Sequence, residues 1–301
     1  MSDNQPQPTI INKIKAALTY PLPHHFLSHV VYQFMRIKIP QVKNFQIAMM
    51  TKAFNINISE SKLRVPQDFP DFNSFFTREL KKDARTIEGD ANSICSPVDG
   101  TVSQLGDIDG SAIFQAKGHS FNLTKLVGGS QELAKNYIDG KFATIYLSPR
   151  DYHRIHMPCA GKLKKIIHIP GRLFSVANYT VTTVPELFAR NERVVCVFDT
   201  QFGEMIMVLV GAIFVSSMDT VWTGTITPPG AKQVTELDIS NPQHTLDIEK
   251  GEEMGRFNMG STVILLFPKN KIDWEEELST GSSLRLGNGI GKVVENLTSQ
   301  D

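Results

Sequence analysis

The chain has 301 residues, 41% of them hydrophobic and 21% charged, and its 31 basic side chains balance 31 acidic ones. That composition excludes a disordered, collagenous or fibrous chain and allows one large domain or two small ones. Three widely separated cysteines, Cys95, Cys159 and Cys196, argue against a disulfide framework and for a reducing compartment.

The charge balance conceals an asymmetry. Between Asn4 and Ser59 there is no Asp or Glu, whereas Lys13, Lys15, Arg36, Lys38, Lys43 and Lys52 all fall there. Leu27, Val30, Val31, Phe34 and Met35 recur at helical spacing and predict a helix that Pro40 stops. A second predicted helix carries Val42, Phe45, Met49 and Met50. Basic amphipathic helices with bulky apolar faces either lie in the interface of an anionic membrane or pack on their own domain, and the pattern alone leaves both open. Nucleic acid is not an expected partner, because the basic residues alternate with large apolar ones and no binding signature follows. The N-terminus lacks the charged-then-apolar order of a secretory signal. The longest apolar run, Met205 to Val215, is too short to span a bilayer, so no transmembrane helix is expected.

From Glu60 onward the pattern changes. DFNSFFTREL reads as a short helix docked through Phe72, Phe75 and Phe76. Short apolar runs punctuated by Gly, Pro and Asp then follow: SPVDGTVSQLG, KFATIYLSP, GKLKKIIHIPG, RVVCVFDT and EMIMVLVGAIFVSSM. These are strand signals with turn chemistry between them. The expected fold is α+β: a β-rich, sandwich- or barrel-like domain over 60–301 preceded by a basic helical segment over 1–59. SPVDGTV, EKGEEMGRF and LRLGNGIGKV share a Gly-turn-strand style with sandwiches that carry lipoyl or biotinyl groups, although no lysine occupies the hairpin tip.

Three stretches carry chemistry. YLSPRDYHRIHMPCAG sets His153 and His156 three residues apart near Cys159, between Pro149 and Pro158, and reads as a turn-rich loop. His-x-x-His with a nearby Cys is a candidate metal set, but no second cluster supplies a further ligand at sensible spacing, so no metal is expected. Asp99 precedes a glycine, which is also an ordinary turn pair. In EEMGRFNMGSTVILLF, the Gly260-Ser261-Thr262 step abuts an apolar run from Val263 to Phe267 that reads as a buried strand, and a structural bulge is the plain explanation. Asp, His and Ser are together the components of a hydrolase triad, although the chain has no G-x-S-x-G elbow.

SPVDGTV, YLSPRDYHRIHMP and FNMGSTVILLF, in this order and at these separations, resemble the membrane-associated bacterial and mitochondrial phosphatidylserine decarboxylases. The resemblance runs from the Phe-rich helix to Phe267. It implies self-cleavage between Gly260 and Ser261 into a large chain, 1–260, and a small chain, 261–301, that remain associated. Ser261 then becomes a pyruvoyl group, with neither pyridoxal phosphate nor metal required. His156, oriented by Asp99, takes the Ser261 hydroxyl proton; the new ketone forms a Schiff base with phosphatidylserine and accepts electrons as carbon dioxide leaves; His153 returns the proton, and phosphatidylethanolamine is released.

The resemblance further implies weaker substrate contacts at His119, Arg172 and Arg193. It favours the membrane reading of residues 1–59, a peripheral location on the cytoplasmic side if the source is bacterial, and is compatible with a homodimer. Two rivals stay open: an uncut serine hydrolase using Asp99, His156 and Ser261, and a non-enzymatic β-sandwich carrier or interaction domain.

Overall fold

Unbroken apolar runs belong in strands covered on both faces, and the run before Pro268 occupies such a place. The computed structural model describes residues 9–116, 118–213, 217–227, 231–258 and 261–294. Ser261–Phe267 is a central strand with every residue buried. It pairs antiparallel with Lys141–Leu147 on one side and Gly203–Val210 on the other. The sheet continues outward through Gly100–Asp107 and Ser283–Leu284 in one direction and through Arg193–Thr200, Gly161–Ile169 and Thr235–Glu236 in the other. A second sheet joins Gly224–Thr227, Ser217–Thr220, Glu253–Asn258 and Arg154–His156, and a third joins Ser93–Cys95, Gly289–Val293 and Ile272–Trp274. The expected β-rich α+β architecture is present, and the three cysteines are buried and free.

Two helices differ from expectation in instructive ways. Helix α1 spans Ile10–Thr19, α2 spans His24–Phe34 and α3 spans Pro40–Phe54. Pro40 opens α3 rather than closing α2, since its missing N–H is no loss in a first turn. Helix α2 turns its polar side inward: His24 and Ser28 are buried, while Phe26, Val30 and Phe34 are exposed. His24 and its neighbour explain that orientation. The backbone N–H of Leu173 donates to His24 Nδ1 at 3.3 Å, and His25 Nε2 lies 2.9 Å from the Gly171 carbonyl. Helix α4, Phe72–Phe76, begins at Asp71, whose carboxylate caps Ser74 N at 2.8 Å. Phe72, Phe75 and Phe76 join Ile47, Met50, Ile56 and Phe69 in a small core between α3 and α4.

The chain passes between the first two sheets twice. Lys141–Leu147 leaves the large sheet and, through residues 148–153, enters the small one as Arg154–His156. Glu253–Asn258 leaves the small sheet and enters the large one as Ser261–Phe267. The two passages adjoin: Ser261 pairs with Leu147, and Phe257 N donates to the His153 carbonyl at 3.0 Å. Much of the predicted His153–His156 loop is therefore a short strand.

Candidate active site

The double crossing sets Ser261 beside Leu147 and Phe257 beside His153. Gly260 lies outside the described residues, and Ser261 is the first residue of the central strand. The Ser261 side chain is fully buried, and Oγ has no hydrogen-bond partner. Leaving a buried hydroxyl unmatched costs about 1–3 kcal/mol, so this group is held unspent within the fold.

His153, in the adjoining passage, also keeps an unpartnered buried atom. Asp151 folds the preceding turn, its carboxylate accepting from Ser148 N at 2.7 Å and Ser148 Oγ at 2.8 Å. The Asp151 carbonyl, which can only accept, lies 2.8 Å from His153 Nδ1. Nδ1 therefore carries the proton, and Nε2 keeps its lone pair. Nε2 is buried without a partner, as Ser261 Oγ is. The imidazole packs on Phe76 with ring centroids 4.1 Å apart. Burial pushes the His153 pKa down to about 3, partly offset by the Asp151 carbonyl, so the ring is neutral near pH 7.

His156 is differently engaged. Its Nδ1 donates to the Gly251 carbonyl at 2.8 Å, leaving Nε2 to accept from the Tyr152 hydroxyl at 3.1 Å. Burial lowers its pKa as well. Asp99 is held by Arg85, whose Nε donates to Oδ1 at 2.9 Å and whose Nη2 donates to Oδ2, and Oδ1 also accepts from Leu286 N at 2.8 Å. Among the described residues no hydrogen bond joins Asp99 to His156, or His156 to Ser261. Asp99 is engaged by Arg85 and Leu286 N and His156 by Gly251 and Tyr152, while Ser261 Oγ is left without a partner.

Arg85 also donates to Glu60 at 3.0 Å, and Arg285 donates to the other Glu60 oxygen. Arg78 adds a further cation in this neighbourhood, within electrostatic reach of Asp99, Glu60 and His153. The sequence motifs do not point to Arg78.

The three weaker candidates are dispersed. His119 is half-exposed on a two-stranded hairpin with Ala112–Ala116. Arg193 is buried with its guanidinium spent on the carbonyls of Leu126, Asn191 and Lys125 at 2.6–2.7 Å. Arg172 donates to the Tyr20 carbonyl and so ties the helical segment to the body. Among the described residues, no group of three or more His, Cys, Asp or Glu side chains is placed to hold a metal ion.

The fold and site define a β-rich α+β protein with an unspent serine and histidine where the chain crosses between sheets. A family model described as phosphatidylserine decarboxylase matches residues 72–292, and one described as PSD matches residues 14–55. The chain is 54% identical over 260 residues to a phosphatidylserine decarboxylase proenzyme of Alkalilimnicola ehrlichii, covering 86% of this chain and 89% of that one. It is 47% identical over 289 residues to the proenzyme of that name from Bordetella avium, covering 96% and 98%. The chain belongs to the phosphatidylserine decarboxylase family.

Proposed function

We propose that this chain is a proenzyme that cuts itself before Ser261 and then decarboxylates phosphatidylserine to phosphatidylethanolamine. The observation that carries the reading is the pair of buried, hydrogen-bond-free atoms, Ser261 Oγ and His153 Nε2, at the crossing between sheets. Family membership and the names of the relatives support the same activity.

In the proposed self-cleavage, a neutral histidine takes the Ser261 hydroxyl proton as the oxygen attacks the Gly260 carbonyl, replacing the amide by an ester. Loss of the Ser261 α-proton then expels the Gly260 carboxylate; water is taken up and ammonia released as residue 261 becomes a pyruvoyl group. A serine that opens a strand with its hydroxyl uncommitted suits that conversion. Once formed, the group supplies a ketone that binds a primary amine and accepts the electrons left by a departing carboxylate.

The free lone pair favours His153 as the base for Ser261, with Asp99 acting on it through charge rather than contact. His156 then positions the segment through Gly251 and Tyr152. The motif instead assigns the base to His156 and the later proton to His153, and paired variants separate the two: His153→Ala uncut with His156→Ala maturing favours this order, and the converse favours the motif's. The reading as a whole is tested by mass under denaturing conditions. Expected are one fragment ending at Gly260 and another whose first residue is a blocked pyruvoyl; a single uncut chain after prolonged native incubation would refute it.

The membrane is the proposed partner surface of residues 1–59, with 60–301 as the catalytic domain. Ile10, Ile14 and Leu18 on α1 and Phe26, Val30 and Phe34 on α2 form exposed stripes at helical spacing. Phe45 on α3 is 68% exposed. Lys13, Lys15, Arg36, Lys38 and Lys52 supply the charge that an anionic interface attracts, while Lys43 is buried on the Pro66 carbonyl. No helix among the described residues is long and apolar enough to cross a bilayer. Peripheral attachment to the cytoplasmic face of a bacterial membrane accommodates these features.

A further inference from the structure

A buried guanidinium normally spends its donors on carboxylates or carbonyls, as Arg85 and Arg193 do. Arg78 does not. It is 4% exposed, and its Nε and Nη1 are buried with no hydrogen-bond partner. Its charged neighbours bond elsewhere: Asp99 accepts from Arg85 and Leu286, and Glu60 from Arg85 and Arg285. Of the three guanidiniums around these two carboxylates, Arg78 is the one that hydrogen-bonds neither; its guanidinium carbon lies 5.3 Å from the centre of the Phe75 ring. Burial accordingly lowers the Arg78 pKa. Its field also acts on His153, so the cation belongs to the neighbourhood of the candidate site.

We infer that Arg78 is the anion-binding residue of the site and takes the phosphodiester of the lipid substrate, an inference that rests on the proposed decarboxylase reading. The substrate class offers two anions, a carboxylate and a phosphodiester. Pairing a buried cation with the carboxylate would stabilise the ground state of the group that must leave and so oppose the reaction. The phosphodiester keeps its charge from substrate to product, lies three covalent bonds from the carbon that must be reprotonated, and suits a forked donor. Arg172 and Arg193, the arginines singled out by sequence, already spend donors on backbone carbonyls.

The test uses mature full-length protein and two reversible probes that lack a primary amine. Glycerophosphocholine carries a phosphodiester and no carboxylate; N-acetylserine carries a carboxylate and no phosphate. Calorimetry should show that Arg78→Gln weakens glycerophosphocholine binding by about 30-fold or more, the effect of removing one partner of a buried charge pair, and leaves N-acetylserine unchanged. Arg78→Lys, which keeps charge but not the fork, should mature normally and fall between. Loss of N-acetylserine binding alone, or no change in either, overturns the assignment. A folded Arg78→Gln chain that stays uncut also overturns it, since the cation would then serve cleavage. Failure of the decarboxylase reading itself is distinguished by a wild-type chain that never matures.

Discussion

If His153 is the base for Ser261, its burial should be visible in how self-cleavage responds to acid. An ordinary histidine, with a pKa near 6.5, would be about 3% neutral near pH 5, and cleavage would slow about 30-fold from near pH 7.5. His153 is instead held down to about 3, so its neutral fraction barely changes over that range. The first-order rate of appearance of the small chain, followed by mass from a freshly refolded precursor, should change less than about twofold from this group. The same shift affects stability. Because the folded fold favours neutral His153, its contribution is fully present above the unfolded pKa of 6.5 and is lost as pH falls toward 3. Between about pH 7 and about pH 5 this amounts to about 2 kcal/mol. Urea unfolding of an uncut Ser261→Ala chain should show that loss, and adding His153→Gln should remove it. A cleavage rate that falls tenfold with a midpoint near 6.5, in protein still folded by circular dichroism, would refute the assignment.

Other outcomes follow from the same geometry. Ser261→Ala should remain uncut and inactive, whereas Ser261→Cys should cut slowly because it keeps a nucleophile, as read by denaturing mass. With mature protein and substrate, borohydride should fix the amine to the small chain, and added pyridoxal phosphate should change neither trapping nor turnover; trapping on a lysine would exclude the pyruvoyl group. Arg85→Met should destabilise the chain by about 3 kcal/mol in urea, since it strands buried Asp99 without its cation. Replacing exposed Phe26, Phe34 and Phe45 together by Ser should sharply reduce binding to anionic vesicles without lowering thermal stability; unchanged binding would leave those stripes without a membrane role.

The strands around the site were legible because their apolar runs end at Gly, Pro and Asp, and the phenylalanine spacing in 72–76 pointed correctly inward. The orientation of α2 was not legible. Its apolar stripe is compatible with either a buried or an outward face; His24 and Ser28 are the residues turned inward, and that depends on a backbone loop near residue 171 that no local pattern encodes. The two histidines posed a similar difficulty. Their spacing cannot say which one keeps a free nitrogen, because His156 meets Gly251 and Tyr152 only after the small sheet forms. Arg78 is illegible for the same reason: its want of a partner shows only once Glu60, Arg85, Asp99 and Arg285, distant in the chain, have converged.

The central position of Ser261–Phe267 bears on what a cut before Ser261 does to the molecule as an object. The small fragment contributes that doubly paired strand, Ser283–Leu284 against Gly100–Asp107, and Gly289–Val293 between Ser93–Cys95 and Ile272–Trp274. It is woven through two sheets, so it cannot leave without dismantling both. The nick should therefore be silent while the protein stays folded. Under the proposed maturation, unfolding makes the halves separate molecules whose reassembly depends on concentration, with Ser261 already consumed. Each copy can be matured once, and its lifetime is then set by the rate of unfolding rather than by a reversible equilibrium.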